Sequence, residues 1–222
     1  MGKNKLLRYK EIKTLDNVVD LGHFRPGIVH EFRGKWSEKF FGNHNPIVLE
    51  LACGKGDYTL GLAKMNPDIN YLGLDIKGER LWKATKESEE NNLQNTGFVR
   101  TRIDFLDHLF GKNEIDEIWI TFPDPFLRES KESKRLTSTK FLDQYRKVLK
   151  PNGLVHLKTD SPELYAFTLE TIQTENVHIH QNISDIYALP KIPDVLKIKT
   201  YYEGKHLEAG RIIRYVQFEF NV

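Results

Sequence analysis

An α/β fold, with an open, doubly wound and mostly parallel sheet of seven strands and helices on both faces, is what this sequence predicts. Three observations carry that expectation. Short apolar runs alternate with longer helical patterns between Pro46 and Gly153, acidic residues recur at the ends of successive runs, and two glycines follow the first run closely. Strands separated by helical segments form parallel βαβ units. The 222 residues, 39% hydrophobic and 11% aromatic with scattered prolines, suit one folded domain and exclude a disordered chain.

Residues 1–45 come first. Gly22, Pro26, Gly27 and Gly34 interrupt any periodicity there, so the stretch reads as a basic extension packed on a single domain spanning residues 46–222. The strands expected next are "IVLELA" (47–52), "INYLGLD" (69–75), "GFVRTRID" (97–104), "EIWITF" (117–122) and "GLVHLKT" (153–159). Residues 77–91 read as helix mainly by propensity, with Leu81 and Trp82 as the strong anchors. Phe141, Leu142, Tyr145, Val148 and Leu149 recur at helical spacing after the cap candidates Ser138 and Thr139, and "KPNG" (150–153) stops that helix. Ser161 as N-cap and Pro162 in the first turn start another, with Leu164, Tyr165, Thr168, Leu169 and Ile172 on one face. The last third reads as β-rich. There "VHIHQNI" (177–183) and "IIRYVQFEF" (212–220) supply the sixth and seventh strands, joined through an irregular stretch with Pro190 and Pro193.

Composition excludes several function classes. No run of about 18 uncharged apolar residues exists, and no apolar stretch follows the lysines of "MGKNKLLRYKEIK", so neither a membrane span nor a signal peptide is expected. The single cysteine, Cys53, cannot form an internal disulfide, in keeping with a cytoplasmic setting. The histidines lack metal-ligand spacing. His178 and His180 fall on one strand face as packing or surface residues, and no metal is expected. The net charge of +2 is small, but its placement is uneven. Lys3, Lys5, Arg8, Lys10 and Lys13 cluster near the start, and Arg128, Lys131, Lys134, Arg135 and Lys140 follow Pro125. Such clusters either track a phosphate backbone or form solvated faces.

In an open α/β sheet, ligands bind outside the carboxyl ends of the strands, near the point where strand order reverses. Glu50 lies near the end of the first expected strand, Asp75 and Asp104 end the second and third, and Asp124 follows the fourth. Aspartates often cap helices, but that leaves Glu50 unexplained. In "ELACGKGDYTLGLA" (50–63), Gly54 and Gly56 permit a tight turn and close ligand approach. A dinucleotide fingerprint wants a third glycine where Thr59 stands, and no Lys-Ser or Lys-Thr pair completes a phosphate loop. An acidic site of this kind suits a ligand without phosphates, in which one carboxylate holds ribose hydroxyls and others face a positive centre. S-adenosylmethionine is such a ligand.

"ELACGKG", "YLGLDIKGERL", the acid of "TRID", "FPDPF", "KTDSPELY" and "TYYE", in this order, resemble the bacterial tRNA (guanine-N7-)-methyltransferases, the TrmB family, from about residue 20 onward. The element "FPDP" followed by a basic run is the most specific of these. The resemblance implies a Rossmann-like S-adenosylmethionine-dependent methyltransferase fold and methyl transfer to N7 of the variable-loop guanosine in tRNA. It further implies that Glu50, Asp75, Asp104 and Asp124 line the cofactor pocket shaped by Gly54 and Gly56, with Asp124 also catalytic. Arg128, Asp160, Thr200, Tyr201, Tyr202 and Glu203 would hold the substrate, and Ser130, Lys131, Lys134 and Arg135 would touch RNA. A monomer or homodimer is expected, with no metal and no membrane partner.

Three departures from the family pattern set further expectations. Phe126 stands where Trp is usual and keeps a surface for base stacking. Arg128 replaces the common Lys with a planar fork. Ala52 replaces a frequent glycine and is expected at negative φ. Pro125 pushes Asp124 toward extended backbone, and Pro123 does the same to Phe122. Two rivals stay open: a methyltransferase of the same fold acting on a small molecule or protein, and a non-catalytic RNA-binding module. A dehydrogenase is more distant because of Thr59.

Overall fold

The computed structural model describes residues 3–22 and 27–221; Pro26 and the side chains of residues 3–6, Lys3 and Lys5 among them, lie outside that description. The helices are α1 (Lys3–Glu11), α2 (Trp36–Lys39), α3 (Asp57–Met65), α4 (Gly78–Glu90), α5 (Leu106–Leu109), α6 (Thr139–Val148), α7 (Pro162–Thr174) and α8 (Tyr201–Glu208). The strands are β1 (Val18–Asp20), β2 (Ile47–Leu51), β3 (Asn70–Asp75), β4 (Thr96–Arg100), β5 (Ile115–Thr121), β6 (Leu149–Thr159), β7 (Val177–Ile183) and β8 (Arg214–Phe220). They form one sheet in the order β1-β4-β3-β2-β5-β6-β8-β7. All neighbours are parallel except β8, which runs antiparallel to both β6 and β7.

The sheet therefore has eight strands and not the expected seven. The additional one, β1, is three residues long, too short for any periodicity to reveal. It pairs in parallel with β4 from Val18↔Phe98 to Asp20↔Arg100 and covers what would otherwise be an open sheet edge. Asp20 locks this pairing through an ion pair with Arg100 at 3.1 Å. Trp36, from the same N-terminal stretch, is fully buried among β2, α5 and α6 core residues and donates from its indole to Leu109 O at 2.8 Å.

Chain order runs outward from β2 through β3 to β4, then returns to β5 on the other side of β2. The switch point thus falls between β2 and β5, where Glu50 stands opposite Trp119. Every residue of β2 is buried, as in a strand covered on both faces. Ile47, Leu49 and Leu51 join the larger core cluster, while Val48 packs on the α3 side with Tyr58, Leu62 and Trp119. Pleat alternation puts Glu50 on that second face with Val48.

The helix expectations have clear physical outcomes. In α7, Ser161 Oγ accepts from Leu164 N at 3.1 Å, an N-cap bond with Pro162 in the first turn. The face of α6 is Phe141, Leu142, Tyr145 and Val148, all buried, although Ser138 makes no side-chain cap bond. Helix α4 buries Leu81 together with Ala84, Thr85 and Ser88, and the last three, small or polar, explain its faint hydrophobic signal. The third expected strand is shorter than "GFVRTRID": it ends at Arg100, and Asp104 lies in a single 3-10 turn, Ile103–Phe105. His178 and His180 make an edge-to-face ring contact at 4.7 Å, and His180 Nε2 lies 3.2 Å from Glu219. The C-terminal third also holds a helix where none was expected, α8, which begins with a capping box between Thr200 and Glu203.

A buried ion pair ties α8 to the sheet. Lys158 on β6 and Glu203 on α8 meet at 2.8 Å with both side chains fully excluded from solvent. Lys158 Nζ also donates to Leu196 O at 2.9 Å and Ile198 O at 3.1 Å, and Tyr187 OH donates to Glu203 at 2.9 Å. Removing one buried partner leaves an uncompensated charge. Lys158→Met is expected to lower the unfolding free energy by about 3–5 kcal/mol in urea titrations. Adding Glu203→Leu should recover much of the loss; equal stability of the parent and the single variant would contradict this.

Candidate functional site

The chain leaves β2 through a turn whose backbone is unusual at three positions. Ala52, Gly54 and Gly56 have φ of 57°, 59° and 73°. The left-handed value at Ala52 corrects the expectation of negative φ, because the turn needs this geometry whichever residue occupies it. The two glycines serve different needs. A Cβ on Gly54 would meet nothing closer than 4.0 Å, so its φ is what calls for glycine. A Cβ on Gly56 would come within 2.8 Å of Ala84 and 3.0 Å of Phe98, so glycine there lets α3 begin close against α4 and β4.

The turn is stitched to the next strand. Cys53 N donates to Leu74 O at 3.0 Å, and Gly54 N donates to Asp75 Oδ2 at 3.0 Å. The other oxygen of Asp75 accepts from Lys77 N at 2.7 Å. The carboxylate that ends β3 is thereby held rigidly beside the turn.

Glu50 lies beneath it. Its carboxyl accepts from Thr59 N at 2.8 Å, Thr59 Oγ1 at 2.5 Å and Thr121 Oγ1 at 2.8 Å, and only 3% of the residue is exposed. Burial raises its pKa from 4.5 to about 7, against the opposing hydrogen bonds from Thr59 and Thr121. Glu50 does not line the small cavity at the turn, contrary to the expectation that it would; strand alternation directs it into the α3 interface.

Asp104 also departs from expectation. It pairs with Lys140 of α6 and with Arg102 at 3.2 Å, and it lines neither cleft described below. Partial burial pushes its pKa up, but Lys140 and Arg102 outweigh that and hold it below its ordinary value. Four residues past the end of β4, its direction is set by the 3-10 turn and not by the strand.

The segment 200–202 lies over the turn. Tyr201 N donates to Asp57 at 2.8 Å, Lys55 Nζ sits 3.8 Å from the Tyr201 ring centre, and Arg80 donates to Tyr202 OH at 3.2 Å. Two stretches singled out in the sequence, around Gly54 and around Tyr201, are thus brought together. The space between them is about 50 Å³. Within the segment the expected substrate residues divide: Tyr201 and Tyr202 are exposed, whereas Thr200 and Glu203 are buried in the capping box and ion pair.

A larger cleft of about 840 Å³ adjoins this space and shares Arg80, Phe122 and Tyr202 with it. Asp124 lines it, exposed, with Oδ1 accepting from Phe126 N at 3.0 Å. Asp160 lines it too, with Oδ2 bound by Arg211 at 2.5 Å and lying 3.3 Å from His206 Nδ1. Sequence reasoning passed over Arg80, His206 and Arg211. Only the family element containing Arg80 offered a signal; the other two sit at no fixed offset from a strand end.

The loop carrying Asp124 is flanked by two strained residues, Phe122 at φ 48° and Phe126 at φ 42°. Phe122 was expected to be extended before Pro123. Instead its N–H still bonds Lys158 O at 2.8 Å while its ring stacks on His206 at 5.6 Å, and these contacts offset a strain of about 1–3 kcal/mol. Arg135 holds the loop from behind. Only 8% exposed, it donates to Pro125 O at 3.1 Å and Phe126 O at 3.3 Å, and its guanidinium lies 4.3 Å from the Phe167 ring centre. That buried position corrects its assignment as an RNA contact. Arg128, Ser130, Lys131 and Lys134 are exposed, and among the described residues none of these three cations is ion-paired.

The donor set fits S-adenosylmethionine. Asp75, 6% exposed, is absent from the walls of both clefts, as Glu50 and Asp104 are, but two backbone N–H groups fix its carboxylate beside the turn, Gly54 lets the backbone approach a ligand closely, and the adjoining cleft has room for a ligand of this size. No described helix is long and apolar enough to cross a membrane.

Comparison with known proteins identifies the family and the fold. A family model described as "Putative methyltransferase" matches residues 44–215. The tRNA (guanine-N(7)-)-methyltransferase of Christiangramia forsetii is 46% identical, over 98% of this chain and 98% of the relative. That of Bacteroides thetaiotaomicron is 42% identical, over 98% of this chain and 86% of the relative. Among solved structures, the 16S rRNA methyltransferase KamB superposes with a TM-score of 0.61 at 16% identity, covering 86% of this chain and 96% of that one. An rRNA methylase from Streptococcus thermophilus gives 0.52 at 16%, covering 80% and 88%. At such identities the likeness is one of fold.

Two outcomes test the local physics. Arg135→Met removes two charge-assisted hydrogen bonds and is expected to cost about 2–3 kcal/mol of stability, read from denaturant midpoints. Lys131→Met, on the exposed run, should change stability by less than about 0.5 kcal/mol. For Glu50, the folded pKa near 7 exceeds the unfolded 4.5, so the folded state holds more protons between these values. Its contribution to stability therefore falls as pH rises through that window, by about 3 kcal/mol in total. Glu50→Gln should flatten the stability profile between pH 4.5 and 7; an unchanged slope would mean that Glu50 is not its source.

Proposed function

The chain belongs to the tRNA (guanine-N(7)-)-methyltransferase family, and from that premise we propose that it methylates N7 of the variable-loop guanosine in tRNA, using S-adenosylmethionine. The observation that carries this reading is the convergence of the Asp75-braced turn, the exposed Asp124 and an 840 Å³ cleft at the carboxyl ends of β3, β2 and β5.

S-adenosylmethionine supplies a methyl group on a positively charged sulfur. Asp75 holds the ribose hydroxyls, with its carboxylate fixed by the turn amides. Guanine N7 carries a free lone pair, so no residue has to remove a proton from it. Asp124 instead aligns the base and offsets the positive charge that the purine acquires. The Phe126 amide occupies one of its oxygens and leaves the other for the N1 and N2 donors of guanine. Phe126 offers a face for stacking, and Arg128, Ser130, Lys131 and Lys134 meet RNA phosphates. Tyr201 and Tyr202 contact the substrate, while Thr200 and Glu203 keep them in place through α8.

The purified protein, incubated with S-adenosylmethionine and unmodified tRNA, is expected to yield 7-methylguanosine in the variable loop, mapped by mass spectrometry of nuclease fragments. Asp124→Asn should slow single-turnover methyl transfer by about 10²-fold or more. Binding of tRNA without any methylated guanosine would favour an RNA-binding module. Methylation of small molecules or proteins but not tRNA would favour the other rival.

A further inference from the structure

A second cleft lies between α1 and α4, about 460 Å³ in volume, with Arg8, Lys55, Lys77, Arg80 and Lys83 in its wall and Glu79 among them. Arg8 and Glu79 lie 3.6 Å apart, and Arg8 also stacks on Trp82 at 4.7 Å. Among the described residues, Lys55, Lys77, Arg80 and Lys83 have no carboxylate within ion-pair distance. Their polar and ring partners are Tyr201 for Lys55 and Tyr202 for Arg80.

The pattern along α4 sets these cations apart. Lys77 is the extended N-cap of α4, and Arg80, Lys83 and Lys86 follow it at three-residue spacing, so that neighbouring cations of the series lie close together. Lys86 is matched by Glu11 at 3.4 Å and Glu89 at 3.0 Å, whereas the three toward the carboxyl edge of the sheet have no carboxylate partner among the described residues. Other lysines, such as Lys147 with Asp107 and Lys150 with Asp116, are also paired. Like charges within a Debye length of about 8–10 Å repel one another, and a polyanion relieves that repulsion while releasing its own counterions.

Lys77 and Arg80 also line the cleft that holds Asp124, so the two clefts are joined by shared cations. We propose that the α1–α4 cleft is a second phosphate-binding arm, over which the RNA backbone passes on its way to or from the base presented at Asp124. This rests on the tRNA reading above and extends it to a surface remote in sequence from the run at 128–134.

The test measures tRNA affinity across a series of salt concentrations for the parent, Lys83→Glu and, as a control for net charge, Lys112→Glu. Lys83 and Lys112 are both exposed, and Lys112 lies just before β5 at the opposite edge of the sheet. Lys83→Glu is expected to bind tRNA more weakly at low salt, with the slope of log affinity against log salt reduced by about 1. Lys112→Glu should keep the parent slope, and S-adenosylmethionine affinity by calorimetry should match the parent in both. Equal slopes for the two variants overturn the proposal. So does a loss of cofactor affinity in Lys83→Glu with an unchanged slope, which would make the cleft part of the cofactor site. A parent that neither binds nor methylates tRNA overturns the functional reading and this arm with it; a parent that methylates tRNA while Lys83→Glu keeps its slope sinks the arm alone.

Discussion

The arrangement of the site depends on one buried contact, the ion pair between Lys158 and Glu203. Removing an ammonium and a carboxylate from water costs several kcal/mol per ion, so such a pair persists only where other hydrogen bonds complete both groups. Here the carbonyls of Leu196 and Ile198 complete the lysine, and Tyr187 and the capping box complete the glutamate. The same atoms that satisfy the charges fix the path of the chain. Residues 196–198 are drawn to β6, α8 starts where Glu203 must reach inward, and Tyr201 and Tyr202 are left above the glycine turn. Burial holds the pKa of Lys158 below its ordinary value, and Glu203 offsets only part of that shift.

A second constraint acts on the other wall. The proline-flanked aspartate projects from a loop whose neighbours, Phe122 and Phe126, adopt left-handed backbone. Prolines narrow the choices of the residues before them but do not select that region. What selects it is tertiary: the Phe122 amide remains bonded to β6, its ring stacks on His206, and the buried Arg135 grips the two carbonyls that follow Asp124. Arg135 is charged and lies in a basic run, yet its guanidinium is spent within the protein. Its neighbours Lys131 and Lys134 remain at the surface.

Electrostatics then distribute the acids by environment. Asp75 is fixed by two backbone amides, Asp124 stands in an open cleft, Asp104 is held charged by Lys140 and Arg102, and Glu50 is pushed toward neutrality by burial. Four acids that look alike at strand ends therefore have four different roles. The cations are divided in the same way, some cancelled by carboxylates and some, among the described residues, left without them beside the clefts.

By itself the sequence determined the α/β class, seven of the eight strands, the cap at Ser161, and the carboxyl edge as the place where the Gly54 turn and Asp124 line adjoining clefts. Those features follow from local periodicity, turn chemistry and the rule that ligands sit where strand order reverses. Only the tertiary structure decided the rest. The edge strand β1 exists because β4 offers it a ladder, and three residues carry no pattern of their own. Helix α8 depends on a carboxylate that must meet a lysine 45 residues away. Ala52 accepts positive φ because Cys53 and Gly54 are bonded to β3. Whether a charged residue faces RNA or the interior, as Arg135 and Glu203 do, depends on partners distant in sequence, and one residue's identity does not encode them.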